Sequence, residues 1–131
     1  MESIVITPMY AGMLGIILLV LSIRVVAVVR AKGGVGYGDG GNIDFTPVVR
    51  GQGNFVEYVP IILILIAFAE AGGTSSGYIH AMGSALVVGR ILHPMGLTNV
   101  AGVNPLRFIG TNLTWITLLA SSIFVLVNQF S

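Results

Sequence analysis

The sequence predicts an all-α membrane protein, an up-and-down bundle of four transmembrane helices. Of its 131 residues 55% are hydrophobic and only 8% are charged, and four long apolar segments occupy most of the chain. Soluble domains carry about 25% charged residues, so this chain has too few charges to cover a surface in water. Four spans of about 20 residues each, with their loops, use nearly the whole length. We therefore expect one domain, residues 1–131.

The four segments run over about residues 4–29, 47–71, 75–92 and 106–130. The first is nearly pure aliphatic apart from Arg24, and the second is polar in its first half. The third is short, so it needs a thinner bilayer or end residues that reach the interface. Four buried helices of a soluble protein would have more charge between them. A cleaved signal peptide is also disfavoured, because the first segment is long and lacks a basic leader and a clear cleavage site.

The charges divide between the two ends of the four-span arrangement. Every basic residue falls at or near one end: Arg24, Arg30, Lys32, Arg50, Arg90 and Arg107. The opposite end has Glu2 and Glu70. Since cytoplasmic loops carry an excess of Lys and Arg, we expect the first loop, residues 30–46, and the third, residues 94–105, in the cytoplasm. Both termini then face the opposite compartment of a multi-pass protein, which would lie in the inner membrane if the source is bacterial.

A polar face opens the second segment. Arg50, Asn54, Glu57 and Tyr58 lie within about 100° of one another around the helix axis, whereas Gln52 points elsewhere and toward a possible neighbouring subunit. An ionised Glu57 needs a cation, and Arg50 is about 10 Å away along the axis, so we expect a partner on another helix or on a ligand. Two interpretations stay open. The face is a hydrogen-bond network between helices, or it binds a zwitterionic peptide through complementary charges.

Three stretches resemble one known family. The run Arg-x-Gln-x-Asn-x-x-Glu-Tyr-x-Pro, residues 50–60, resembles the signature of the MAPEG family, the membrane-associated proteins in eicosanoid and glutathione metabolism. Residues 89–96 resemble the end of that family's third helix, and residues 37–41 resemble the first loop of its bacterial branch. The family includes microsomal glutathione transferases and the leukotriene and prostaglandin synthases.

The resemblance implies a homotrimer that binds glutathione, as co-substrate, between subunits and near the cytoplasmic face. Carried over by position, Arg50 would meet a glutathione carboxylate. Asn54, Glu57 and Tyr58 would hold its peptide and amino groups. Gln52 would contribute from the adjacent subunit.

Two features of the family pattern differ in this chain: the tyrosines near the end of the third helix and the arginine early in the fourth. His93 and Leu97 stand where eicosanoid-producing members carry tyrosines, and His93 is either a ligand contact or an interfacial histidine at a helix end. The family's catalytic arginine lies early in the fourth helix. Arg107 is our candidate for it, although counting back from Trp115 puts Asn112 there, and Arg107 is otherwise a charged anchor at the membrane interface.

The function that the resemblance implies is a glutathione-dependent transferase or peroxidase. A nearby cation favours the thiolate of glutathione, which then attacks a small apolar electrophile that arrives from membrane lipid. The alternative is a non-catalytic membrane protein of the same family that binds lipid or glutathione. A channel or transporter is disfavoured because the chain has no repeated half.

Other chemistries have little support in the sequence. The chain has no cysteine, which excludes disulfides and thiolate metal sites. His80 and His93 are far apart and have no acidic neighbour, so we predict no metal site. No basic run with aromatic residues indicates nucleic acid binding. Residues 36–41 fit Gly-x-Gly-x-x-Gly but follow a membrane helix rather than a strand, which excludes dinucleotide binding; the loop is either a connector or a cover over the site.

Overall fold

The computed structural model describes residues 4–97 and 104–131. The regular secondary structure of these residues is entirely helical. Their four α-helices are α1, Thr7–Val25; α2, Thr46–Ala71; α3, Ser76–Met95; and α4, Pro105–Phe130. A π-helical segment, Val26–Lys32, continues α1 without a break. The predicted all-α fold with four helices is therefore confirmed for the described part of the chain. Glu2, one of the acidic residues used to predict the topology, lies outside it.

Three stretches of the described chain are long and apolar enough to cross a membrane: Thr7–Lys32, Thr46–Ala71 and Pro105–Phe130. Their outward side chains are large and apolar; Ile16 and Leu19 on α1, and Ile116 and Leu119 on α4, are all more than half exposed. So much exposed hydrocarbon is unfavourable in water. The chain thus has the helices of a membrane protein, with large apolar side chains on their outer surface.

The third helix reaches three residues beyond its predicted end. It continues through Pro94 to Met95, and the Gly96 N–H closes it by donating to the Leu92 and His93 carbonyls. A proline in the last turn removes only one helical N–H donor, so the helix tolerates it there. This extension keeps His93 inside α3, where its position is set by the helix.

The end of α2 holds the beginning of α1. The Glu70 carboxylate accepts hydrogen bonds from the backbone N–H groups of Val5, Ile6 and Thr7, at 3.0, 2.7 and 2.8 Å, and from the Thr7 hydroxyl at 2.6 Å. The first N–H groups of a helix have no partner within the helix, and a negative charge there also complements the helix dipole. Glu70 entered the topology prediction only as a charge. In the structure it caps the beginning of α1 from another helix.

Two glycines bring α3 and α4 into close contact. A Cβ atom on Gly110 would lie 2.7 Å from the Gly89 carbonyl oxygen and 2.7 Å from the His93 backbone nitrogen. Real Cβ atoms do not approach this closely, so the hydrogen atom of glycine is required for the two backbones to meet. The contact places the last turns of α3 against the first turns of α4. This is the region in which the polar residues converge.

Candidate functional site

A polar cavity of about 200 Å³ lies between α2, α3 and α4. It is lined by Asn54, Tyr58, Arg90, His93, Arg107, Thr111, Thr114 and Trp115. Four of the seven predicted site residues are therefore brought together by the fold. The other three, Arg50, Gln52 and Glu57, are not among the lining residues. The binding roles of all seven residues stay predictions.

The most buried group of this cavity is a cation. Arg90 has no exposed surface; its Nη1 donates to the Thr114 hydroxyl oxygen at 3.3 Å, and its Cζ lies 5.7 Å from the centre of the Phe55 ring. Its Nε and Nη2 atoms are buried and have no hydrogen-bond partner. Buried charged donors are nearly always paired. The unpaired edge of Arg90 therefore lacks the partner that a buried guanidinium normally has.

His93 lies one helical turn after Arg90 and is also buried. Its Nδ1 atom is buried and has no hydrogen-bond partner. The imidazole is thus part of the cavity wall rather than an exposed group at a helix end. An unsatisfied ring nitrogen is suited to a hydrogen bond with a ligand.

The structure separates the two candidates for the catalytic arginine position. Arg107, at the beginning of α4, is exposed and lines the cavity. Asn112 is not a lining residue, and its side-chain amide donates to the Phe108 carbonyl at 2.8 Å. Arg107 is therefore the candidate with access to a ligand in the cavity, and its catalytic role stays a prediction.

The expected separation of Arg50 from Glu57 was wrong. Arg50 Nη2 donates to Glu57 Oε1 at 2.6 Å, and the two side chains are 50% and 52% exposed. The reason is Gly53, which lies between them on the same face. A Cβ atom there would be only 3.0 Å from Arg50 Nη1, so its absence leaves the long arginine side chain free to extend along the helix. Distances between Cα positions alone understate the reach of arginine.

Four lining residues were not predicted from the sequence: Arg90, Thr111, Thr114 and Trp115. Arg90 was assigned to the basic residues that orient the chain and to the stretch, residues 89–96, that resembles the family's third helix, but it was given no role in the site. The polar lining residues of α4 could have been predicted from their spacing in the sequence. Arg107, Thr111 and Thr114 are spaced four and three apart, which places them on one helix face. A polar stripe at this spacing in an otherwise apolar helix indicates a face turned toward the bundle interior or a cavity.

The Gly-rich loop has its own contacts at the end of the π-helical segment. Arg30 Nη1 donates to the carbonyls of Val35 and Gly38 at 3.1 and 2.8 Å. Asp39 accepts hydrogen bonds from the Thr46 hydroxyl at 2.7 Å and the Gly41 N–H at 2.9 Å, and these two bonds lower the pKa of its carboxyl group. None of these contacts involves a residue that lines the cavity.

Comparison with known proteins supports one family. The chain matches the model of the MAPEG family over residues 7–127. It is 33% identical, over 123 residues, to "Inner membrane protein YecN" of Escherichia coli strain K12. The match covers 94% of this chain and 89% of that protein. The protein of the same name from Escherichia coli O6:H1 strain CFT073 gives the same identity and coverage.

Proposed function

Because the chain belongs to the MAPEG family, we propose that it binds glutathione in this cavity and conjugates it to apolar electrophiles dissolved in the membrane. The observation that supports this function is the meeting of two arginines, Arg90 and Arg107, with amide, phenol and hydroxyl groups in one polar cavity. Glutathione is an anionic thiol peptide. It offers carboxylates and a potential thiolate to the cations, and peptide groups to Asn54, Tyr58 and His93.

We propose that the functional unit is a homotrimer of up-and-down bundles in which α3 also crosses the membrane. The cavity of one chain, about 200 Å³, is smaller than the roughly 300–1,000 Å³ typical of ligand pockets. A neighbouring subunit would enlarge it and supply Gln52. The half-exposed pair of Arg50 and Glu57 is in the polar segment of α2 that such a neighbour would cover.

In the proposed reaction the protein acts mainly by electrostatics. Arg107, at the exposed side of the cavity, stabilises the glutathione thiolate, because a nearby cation favours the charged form of a thiol. The thiolate sulfur then attacks the electrophile, forms a carbon–sulfur bond and displaces the leaving group. The electrophile reaches the sulfur from the lipid, while the peptide enters from water.

The binding step is tested with protein purified in detergent and titrated with glutathione by calorimetry. We expect saturable binding by the wild type. We expect about tenfold weaker binding by Asn54→Leu, which removes a hydrogen-bonding amide from the cavity wall. Asn112→Leu is the matched control: it makes the same exchange on α4 outside the cavity lining and should leave the affinity unchanged. No saturable binding to the wild type at millimolar glutathione would contradict the proposed function.

A second function is a non-catalytic glutathione- or lipid-binding protein of the same family. The observation that favours lipid binding over glutathione binding is the ion pair of Arg50 with Glu57, since these two predicted glutathione ligands already neutralise each other. Turnover of an aryl halide with glutathione separates the two functions. Binding without any rate above that of the protein-free reaction would support the non-catalytic function.

We also propose that the first and third loops lie in the cytoplasm and that both termini lie on the opposite side. Arg30 and Lys32 lie in the last turn of the first helical stretch and Arg107 lies in the first turn of α4, so these charges flank the two loops. Alkaline phosphatase fused after Ser131 should be active, because it folds only outside the cytoplasm, and a fluorescent protein there should be dark. Fusions placed within residues 36–41 are the control and should show the reverse. Fluorescence from the C-terminal fusion would overturn this orientation.

A further inference from the structure

We propose that Arg90 binds a carboxylate of the ligand through its free Nε and Nη2 edge. This inference rests on the proposed function and assigns one group of the thiol peptide to one group of the protein. In the resemblance, that carboxylate was expected at Arg50. The contacts of the two arginines favour Arg90 instead.

The guanidinium of Arg90 is held by the protein at Nη1 and near Cζ, which leaves the Nε and Nη2 edge for the ligand. The Thr114 hydroxyl donates its hydrogen to the Gly110 carbonyl at 2.8 Å, so its oxygen is left to accept from Arg90 Nη1 at 3.3 Å. The Phe55 ring packs near Cζ, where it stabilises the cation through its π-electrons. The two nitrogens without partners, Nε and Nη2, belong to the same edge of the guanidinium and present parallel N–H groups. This fork matches the two oxygens of a carboxylate.

Within the described residues, no carboxylate forms an ion pair with this fork. The nearby acidic side chain Glu57 is joined to Arg50 through Oε1 at 2.6 Å. A buried cation without an anion is unfavourable. Arg90 lines the polar cavity, so an anion bound there can satisfy the fork. Arg50, already paired and half exposed, has less to gain from a ligand carboxylate. A planar group with two oxygens satisfies both free donors at once, whereas a single sulfur atom does not.

The two cations of the cavity thereby take different ligand groups. Arg90, which has no exposed surface, holds the carboxylate and sets the position of the peptide. Arg107, which is exposed, is left for the thiolate, where the apolar electrophile must arrive. Ligands that keep the thiol but lack the matching carboxylate should therefore bind weakly. The carboxylate contact is a source of specificity.

The test compares wild type with Arg90→Lys, which keeps the charge and removes the fork. The main probe is S-methylglutathione, which has both carboxylates and no free thiol. Two further S-methyl analogues each lack one carboxylate: one has the glycine carboxyl amidated and one has the γ-glutamyl α-carboxyl removed. We expect Arg90→Lys to weaken S-methylglutathione binding by about 10- to 100-fold in calorimetry. The analogue that lacks the carboxylate held by Arg90 should bind the wild type about as weakly as S-methylglutathione binds Arg90→Lys. This analogue should lose no further affinity in Arg90→Lys, because its contact with Arg90 is already absent.

The controls separate this inference from the function on which it rests. Arg24→Lys, an exposed exchange on α1 away from the cavity, should bind S-methylglutathione like the wild type. If Arg90→Lys does not fold, Thr114→Val tests the same fork, because it removes the oxygen that fixes Nη1. Thr114→Val should lower the affinity only of ligands that retain the carboxylate. If removing either carboxylate weakens binding equally in wild type and variant, the assignment to Arg90 is overturned while glutathione binding stands. If the wild type binds neither glutathione nor S-methylglutathione, both the proposed function and the assignment to Arg90 are overturned.

Discussion

Replacement of Glu70 by glutamine is expected to lower the free energy of unfolding by about 3 kcal/mol, the upper range for losing hydrogen bonds to a charged group. The two carboxylate oxygens accept four hydrogen bonds at the beginning of α1. Glutamine has one acceptor oxygen, and its NH2 group would face N–H donors such as that of Ile6. The exchange also removes the negative charge next to the helix N-terminus. Unfolding by sodium dodecyl sulfate in mixed micelles, followed by circular dichroism, measures the change.

The same chemical exchange at Glu57 provides a matched control. Glu57 and its partner Arg50 are both about half exposed, and exposed ion pairs contribute at most about 1 kcal/mol. Glu57→Gln should therefore change the unfolding free energy much less than Glu70→Gln. Equal effects of the two substitutions would show that the cap on α1 does not stabilise the bundle.

Replacement of Arg107 by alanine is expected to lower kcat/KM for conjugation of an aryl halide by about 100-fold, the scale found when one charge-stabilising donor is lost from an active site. The sign of the pH effect follows from the charge. In the proposed reaction the Arg107 cation lowers the pKa of the bound thiol, so we expect its loss to raise that pKa and the variant to recover rate at higher pH. The measurement is the pH profile of kcat/KM in wild type and variant, with the ultraviolet absorbance of bound thiolate as a second readout.

Two further variants make the Arg107 result specific. Arg107→Lys keeps the positive charge and should retain more rate than Arg107→Ala, with a smaller shift of the pH profile. Arg24→Ala removes a basic residue that lies on α1, outside the cavity, and should behave like the wild type. Equal turnover by wild type and Arg107→Ala would show that another group stabilises the thiolate.

Much of the fold follows from patterns that are visible in the sequence. The apolar segments predicted four helices because length and composition report directly on a lipid environment. The end of α3 was harder to place. Proline usually marks a helix boundary, yet Pro94 lies inside the last turn, where one missing donor has little effect. The contact of Glu70 with the beginning of α1 was not predicted, because it joins residues that no local pattern connects.

The site was predicted where residues share one helix and missed where several helices meet. Periodicity on α2 placed Asn54 and Tyr58 on one polar face, and both line the cavity. It gave no information on the burial of Arg90, which contacts Thr114 on α4 and Phe55 on α2. It also misjudged Arg50, because a helical projection does not show that Gly53 leaves room for a long side chain.

The cap on α1 can form only late in synthesis of the chain. The Thr7 N–H and hydroxyl depend on a carboxylate 63 residues further along the chain, which the ribosome makes only after the first loop and nearly all of α2. While α1 enters the bilayer, the N–H groups that Glu70 will satisfy must stay in contact with water or lipid headgroups. They gain their acceptor only when α2 has been inserted beside α1. The Glu70 contact therefore forms only when α1 and α2 are paired as a hairpin. In a chain that inserts α2 incorrectly, the N–H groups at the beginning of α1 lack this acceptor.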